Sequence, residues 1–177
     1  MNSPSQHIDA VEAKWFAVRT SFRKEKYFVQ QLLLQEVEAY IPIQEVQRVY
    51  KSRTKKVALP LIPNYAFVKI KKADYVKVLK AMGFLAFVHF SGKIVPIPDR
   101  EMEILKLVVA EEEELKCSTE SLAAGDWVEI KSGQLVGMKG QLVEEKSGTT
   151  YQVQLERLGV YLTIDVKSHL LRKIKAA

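Results

Sequence analysis

Apolar and polar positions alternate along the first half of the chain in two rhythms, one of strands and one of helices. Lys14-Trp15-Phe16-Ala17-Val18-Arg19 is rich in aromatic and β-branched residues and predicts a short, largely buried strand. Thr20 and Ser21 follow as candidate helix caps. From Arg23 to Glu38 the apolar residues keep i, i+4 spacing, with Phe28, Leu32 and Gln35 on one line and Val29, Leu33 and Val37 on the next. Lys24, Gln31 and Glu38 make the wet face of that helix. Pro42 interrupts Tyr40-Ile41 and Ile43, which predicts an edge strand. Gln44 to Ala58 has weak strand character around Val46 and Val49-Tyr50, and Lys51 to Lys56 make a basic turn. The pattern is that of a hairpin with a positive tip. Leu59 to Asn64 is too proline-rich for an interior strand, whereas Tyr65 to Ile70 predicts one.

Asp74 is placed to cap a second helix reaching Met82, with Val76, Val78 and Leu79 inward and Gly83 as its stop. Phe84 to Phe90 and Lys93 to Ile97 predict strands about a Ser91-Gly92 turn. Pro98-Asp99 opens a third helix carrying Met102, Leu105 and Val109. The order β-α-β-β-α-β-β-α predicts an α+β domain, an antiparallel sheet flanked by helices. Beyond the acidic run Glu111–Glu114 the period changes. Five short apolar-alternating segments, 126–131, 140–145, 151–156, 161–166 and 170–174, are separated by Ser132-Gly133, Ser147-Gly148 and Leu158-Gly159. Even spacing and glycine turns predict a small all-β, SH3-like barrel. The resulting division is a disordered terminus over 1–13, the α+β domain over 14–114, a linker over 115–122 and the barrel over 123–177.

Charge sharpens this division. The 177 residues carry a formal +6. Between Lys14 and Lys93, however, 16 Lys and Arg face five acids, a net +11. From Asp99 to Glu114 seven acids face two cations, a net −5, and from Cys117 onward the net is +1. A basic block of that strength attracts polyanions through counterion release and long-range steering. A single cysteine, Cys117, excludes an intramolecular disulfide and a cysteine-based metal site. With a mean hydropathy of −0.08 and no long apolar run, the chain reads as cytoplasmic, with no membrane partner.

Catalysis finds no footing. His7, His89 and His169 are the only imidazoles, and no His-x-x-x-His pair, glycine-rich phosphate loop or nucleophile elbow occurs. Consecutive carboxylates in Glu111–Glu114 diverge on a helix and cannot converge on one metal. The expectation is a protein that is not an enzyme, with no cofactor and no metal.

Gly125-Asp126-Trp127-Val128-Glu129-Ile130, then Ser132-Gly133-Gln134-Leu135-Val136-Gly137-Met138-Lys139-Gly140-Gln141-Leu142-Val143, is the most specific signal in the chain. Gly125, Gly133, Gly137 and Gly140 allow the tight return of the strand, and the run resembles the KOW motif of ribosomal proteins and transcription elongation factors. Trp15-Phe16-Ala17-Val18, Pro63-Asn64-Tyr65-Ala66-Phe67-Val68, Phe87-Val88-His89-Phe90, Gly92-Lys93 and Pro96-Ile97-Pro98 in this order resemble the N-terminal, or NGN, domain of the NusG family. The resemblance spans residues 14 to 175.

That resemblance implies a monomeric transcription factor whose NGN domain docks an apolar patch on the clamp helices of RNA polymerase and bridges the DNA cleft. Trp15, Phe16, Tyr65, Phe67 and Val88 are the candidates for the docking surface, alternation putting Tyr65 and Phe67 on one face. Their equal alternative is the core. Arg19, Arg23, Lys24 and Lys26, at a strand end and helix start, are candidates for non-template DNA, and Lys51, Arg53, Lys55 and Lys56 for DNA or polymerase. The KOW module implies a small-subunit ribosomal protein or the termination factor Rho. The turn Gly133-Gln134-Leu135-Val136-Gly137 nevertheless departs from the Gly-Pro-Phe form of housekeeping members. Leu61-Ile62-Pro63-Asn64-Tyr65-Ala66-Phe67-Val68 and the basic hairpin look closer to the specialised antiterminators, RfaH and the UpxY-like regulators. The alternatives are a housekeeping elongation factor and an RNA- or ribosome-binding KOW module.

Overall fold

The computed structural model describes residues 8–50, 53–90, 92–110, 116–118, 125, 127–130, 136–137, 139–145, 148–155, 160–165 and 171–174. Strand β1 (Lys14–Thr20) is followed by helix α1 (Glu25–Leu33), β2 (Glu38–Tyr40), the pair β3 (Ile43–Tyr50) and β4 (Arg53–Pro60), and β5 (Tyr65–Ile70). A 3-10 turn over Lys72–Asp74 leads into α2 (Tyr75–Lys80), then β6 (Phe84–Phe87), β7 (His89–Phe90), β8 (Lys93–Ile94) and α3 (Asp99–Ala110). Strands β2, β5, β1 and β6 form one antiparallel sheet in that order. The two richest apolar runs, β1 and β5, are therefore its interior strands.

Their register decides the core. Phe16 lies opposite Val68 and Val18 opposite Ala66. This face packs with Phe28, Val29 and Leu32 of α1 and Val78 of α2 into one buried cluster. Alternation sends Trp15 and Phe67 to the other face, yet they too are buried, at 3% and 0% exposure. Interior strands covered on both sides read as continuous hydrophobic runs, which is why β1 and β5 were legible.

Two helices are shorter than the periodicity predicts. The first stops at Leu33 instead of Glu38 because Glu36 adopts φ +59, the Glu36 N–H bonds Leu33 O at 3.1 Å, and the Val37 N–H bonds Leu32 O at 3.0 Å. This paired closure of a helix end normally uses glycine at the left-handed position. The apolar rhythm runs on through Val37 because Val37 re-enters the same core after the turn. Glu36→Gly is expected to raise stability by about 1 kcal/mol by removing a left-handed strain at an exposed site. Thermal unfolding measures this, and an unchanged or lower midpoint would show that the conformation costs nothing.

The second helix ends at Lys80, where Ala81 turns extended. Of its expected inward residues only Val78 is buried; Val76 and Leu79 are 52% and 42% exposed. The half-buried Tyr75 takes the inward place instead, stacked 5.5 Å from Phe87. Asp74 makes no side-chain cap and pairs with Lys77 at 3.1 Å.

Part of the stretch expected to be disordered is anchored. Ile8 is in the buried cluster, and Asp9 O accepts the Lys72 N–H at 2.8 Å. The Asp9 carboxylate accepts the N–H groups of Glu12 and Val11, which hold its pKa below the usual carboxylate value.

By packing, the backbone groups into two compact units, residues 1–43 with 62–103 and residues 44–61 with 104–177. The β3–β4 pair thus groups with the C-terminal segment. In that second unit β9 (Lys116–Ser118), β10 (Trp127–Ile130), β11 (Lys139–Glu145), β12 (Gly148–Leu155), β13 (Val160–Asp165) and β14 (Leu171–Lys173) make a six-stranded sheet. Its order is β14-β10-β11-β12-β13-β9, every pairing antiparallel. Strand β9 lies inside the expected linker. Gly137 has φ +83 and its N–H bonds Ile130 O at 2.8 Å, closing the turn out of β10. Gly140 is buried in β11 and Gly125 is exposed, while Gly133 lies outside the described residues.

Candidate nucleic-acid interface

The loop from β1 to α1 is held from two sides. At its start the Thr20 N–H bonds Asn64 O at 2.8 Å and the Ser21 N–H bonds Gly83 O at 2.8 Å. At its end Glu25, only 5% exposed, accepts the Asn64 N–H on Oε1 at 2.9 Å. Asn64 itself sits at φ +62, a conformation asparagine tolerates, in the turn before Tyr65. One buried carboxylate thus ties the first turn of α1 to the turn that presents Tyr65. Gly83 has φ +98, and a Cβ there would come within 2.9 Å of the Lys24 Cβ, so only glycine lets the two loops approach.

On this frame the predicted basic residues are exposed. Arg19 projects from β1 directly across from Tyr65. Arg23, at φ +58, and Lys24 lie in the loop, and Lys26 is in the first turn of α1. The structure brings these four together in one unit with Tyr65. Arg53, Lys55 and Lys56 are exposed on β4 in the other unit, Lys56 lying 3.6 Å from Glu45, and Lys51 is outside the described residues.

The docking candidates divide. Trp15, Phe16 and Phe67 are 3%, 1% and 0% exposed and belong to the core, which corrects their assignment as contact residues. Trp15 lies under the Lys69 ammonium at 5.9 Å and bridges Ile97, Phe16 meets Phe87 edge-on at 6.4 Å, and Phe67 lies 6.5 Å from Tyr40. Alternation established a common face for Tyr65 and Phe67 but could not say what covers it. Tyr65 and Val88 are half-buried and keep accessible surface. Burial pushes the Tyr40 hydroxyl up to about 12, so it stays neutral at physiological pH.

Large apolar side chains are exposed elsewhere in the same unit, at positions the periodicity did not single out. Phe22 is 71% exposed, Leu34 81%, Met82 58% and Tyr27 46%. Gln31 joins two of these regions, its side-chain amide donating to Met82 O at 3.3 Å while its Oε1 accepts the Met82 N–H at 3.4 Å. Phe22, between Ser21 and Arg23, carried a readable signal: an aromatic among loop residues with no apolar neighbour to pack on. A shallow apolar groove of about 410 Å³ lies beside Lys26 and Gln30, floored by Val29, Leu33, Ala39, Tyr40, Ile41 and Ile43. Among the described residues no group of three or more His, Cys, Asp or Glu could hold a metal, and no helix is long and apolar enough to cross a membrane.

A basic, aromatic-bearing α+β unit with this antiparallel sheet and three helices is the fold of an NGN-type transcription-factor domain. The NusG family model, described as transcription termination factor nusG, matches residues 13–106, just over half of the chain, and the chain belongs to the NusG family. Members of this family are non-enzymatic transcription factors. Over most of the chain the fold is similar to that solved in a study of domain interaction in Thermotoga maritima NusG. The identity is 22% and the TM-score 0.57, over 93% of this chain and 98% of that one. Two conformations of the MjSpt4:Spt5 complex match at 19% identity over 92% of this chain and 99% and 97% of theirs, but their TM-scores of 0.30 carry no weight. No curated protein matches.

Proposed function

We propose that this chain is an antitermination-type elongation factor that docks on the clamp helices of RNA polymerase, bridges the DNA cleft and disfavours the paused state. The observation that carries this reading is the cross-strand pair of Arg19 and Tyr65, which puts an exposed cation beside an accessible aromatic on interior strands of a NusG-family fold. Tyr65 and Val88 take the place of the buried aromatics as docking residues. Arg19, Arg23, Lys24 and Lys26 hold non-template DNA. Such a protein needs no chemistry, because its differential affinity for the closed elongation complex sets the shift in population. About 1.4 kcal/mol of preference changes the pause equilibrium tenfold.

The six strands of the second unit serve as the KOW barrel, with Gly137 at the turn out of β10 and Gly140 inside β11. Its partner is a small-subunit ribosomal protein or Rho, and the factor acts as a cytoplasmic monomer. A role at a few long operons is supported by the Gly133–Gly137 turn and the Leu61–Val68 run. Loss of the gene would then deplete distal genes of those operons, whereas a genome-wide loss would make it a housekeeping factor.

In vitro transcription on a pausing template tests the central reading. The wild type is expected to shorten pauses, and Tyr65→Ala to weaken polymerase binding by about tenfold, the effect of truncating an aromatic anchor, with the melting temperature little changed. Unaltered pausing with saturating wild-type protein would overturn it.

A further inference from the structure

We infer that Phe22 and Tyr27 are stacking platforms for unpaired bases of single-stranded DNA; the inference rests on the nucleic-acid reading above and adds base contact to what was so far a phosphate-binding surface. Phe22 is 71% exposed and Tyr27 46%. Each ring carries a cation from the same loop. Arg23 Cζ lies 5.0 Å from the Phe22 centroid, and Lys24 Nζ lies 5.9 Å from the Tyr27 centroid. Aromatic faces interleaved with cations are what a single strand needs: the rings take its bases and the cations its phosphates.

The loop that shows these rings is built to stay open. Arg23 holds a left-handed backbone, costly for a residue with a Cβ, at the turn between Phe22 and α1. Its two ends are pinned to Asn64, and Lys24 rests against Gly83 at a distance no other residue allows. A collapsing exposed phenylalanine would bury itself; this one is kept in solvent by its backbone. The charge is arranged to the same end. Between Arg19 and Gln35 the only acid is Glu25, and its carboxylate is turned inward onto the Asn64 N–H, away from any phosphate.

Leu34 and Met82 are also exposed nearby, as a protein-docking face would require. The pairing of each aromatic with a cation, and the withdrawal of the one carboxylate, favour the nucleic acid. Stacking is sequence-tolerant because every base has a π-face, so this surface gives affinity for any unpaired strand.

The test uses the full chain and an oligothymidylate of about fifteen nucleotides, titrated across a range of salt, beside an abasic strand of equal length and charge. The wild type is expected to prefer the thymidylate to the abasic strand. Phe22→Ala and Tyr27→Ala should each weaken thymidylate binding by at least about fivefold, leave the slope of log K against log salt unchanged and reduce the preference over the abasic strand. Phe22→Tyr should restore both. Both side chains are exposed, so thermal midpoints should hold within the range of ordinary surface substitutions. Equal binding of thymidylate by wild type and both alanine variants would overturn the stacking role while leaving phosphate binding intact. Equal or tighter binding of oligouridylate would reassign the surface to RNA. Loss of polymerase binding by Phe22→Ala with thymidylate binding intact would make it a protein-docking face. A wild type that binds neither strand would sink the nucleic-acid reading itself.

Discussion

Phe67→Ala is expected to cost about 3–5 kcal/mol of folding stability, the ordinary range for removing a fully buried phenylalanine. Phe67 is 0% exposed, lies opposite Ala17 on the interior strand β5, and meets Tyr40 from β2 at 6.5 Å. Ala17 is too small to close the resulting void and its backbone is held in the sheet, so little of the cavity can collapse. Against a typical total of about 5–15 kcal/mol the variant retains a fraction of its margin. Its thermal midpoint should drop by more than about 10 °C. Polymerase affinity, measured below the transition and corrected for the folded fraction, should stay within about twofold of wild type, the scale of a residue outside the contact. A small stability change joined to a large loss of binding would return Phe67 to the docking surface. Tyr65→Ala is the internal control, because the same two measurements should move in the opposite proportions.

Stripping Arg19, Arg23 and Lys24 to alanine together should lower affinity for single-stranded DNA by about 100-fold at 0.1 M salt and flatten the salt dependence by about two log units per log unit. The magnitude follows from three phosphate contacts, each releasing about 0.7 of a counterion from a single strand. All three side chains are exposed, so little stability is at stake. At Arg23 removing the long side chain leaves the φ +58 strain in place, so the loop path should persist. An unchanged slope would show that these cations do not meet phosphate, whatever happens to affinity. The triple variant and the two aromatic variants thus separate two kinds of contact at one loop: charge changes the slope, stacking the intercept.

Much of the architecture was legible because burial on both faces leaves a plain mark. Strands β1 and β5 read directly from their apolar runs, and α3 from Pro98-Asp99 and the spacing of Met102 and Leu105. The helix ends were not legible. Glu36 closes α1 in a conformation for which composition offers no hint, since glycine is its usual sign. In α2 three apolar residues within four positions left the phase open. Packing chose Val78 and put Val76 and Leu79 in solvent.

The site shows the same division. Its cations were visible as a local excess of charge, because lysine and arginine keep their charge in water wherever the backbone turns. Which of the strand aromatics face outward was invisible, because a tryptophan in the core and one at an interface obey the same alternation. Order along the chain established a basic α+β domain and a glycine-turned β segment after it, through backbone periodicity and charge that act over a few residues. Only the assembled fold buried Trp15, Phe16 and Phe67, exposed Tyr27, and turned Glu25 inward. Solvent access depends on neighbours distant in the chain, such as Asn64 and Gly83 against the loop that follows β1, and no local pattern encodes them.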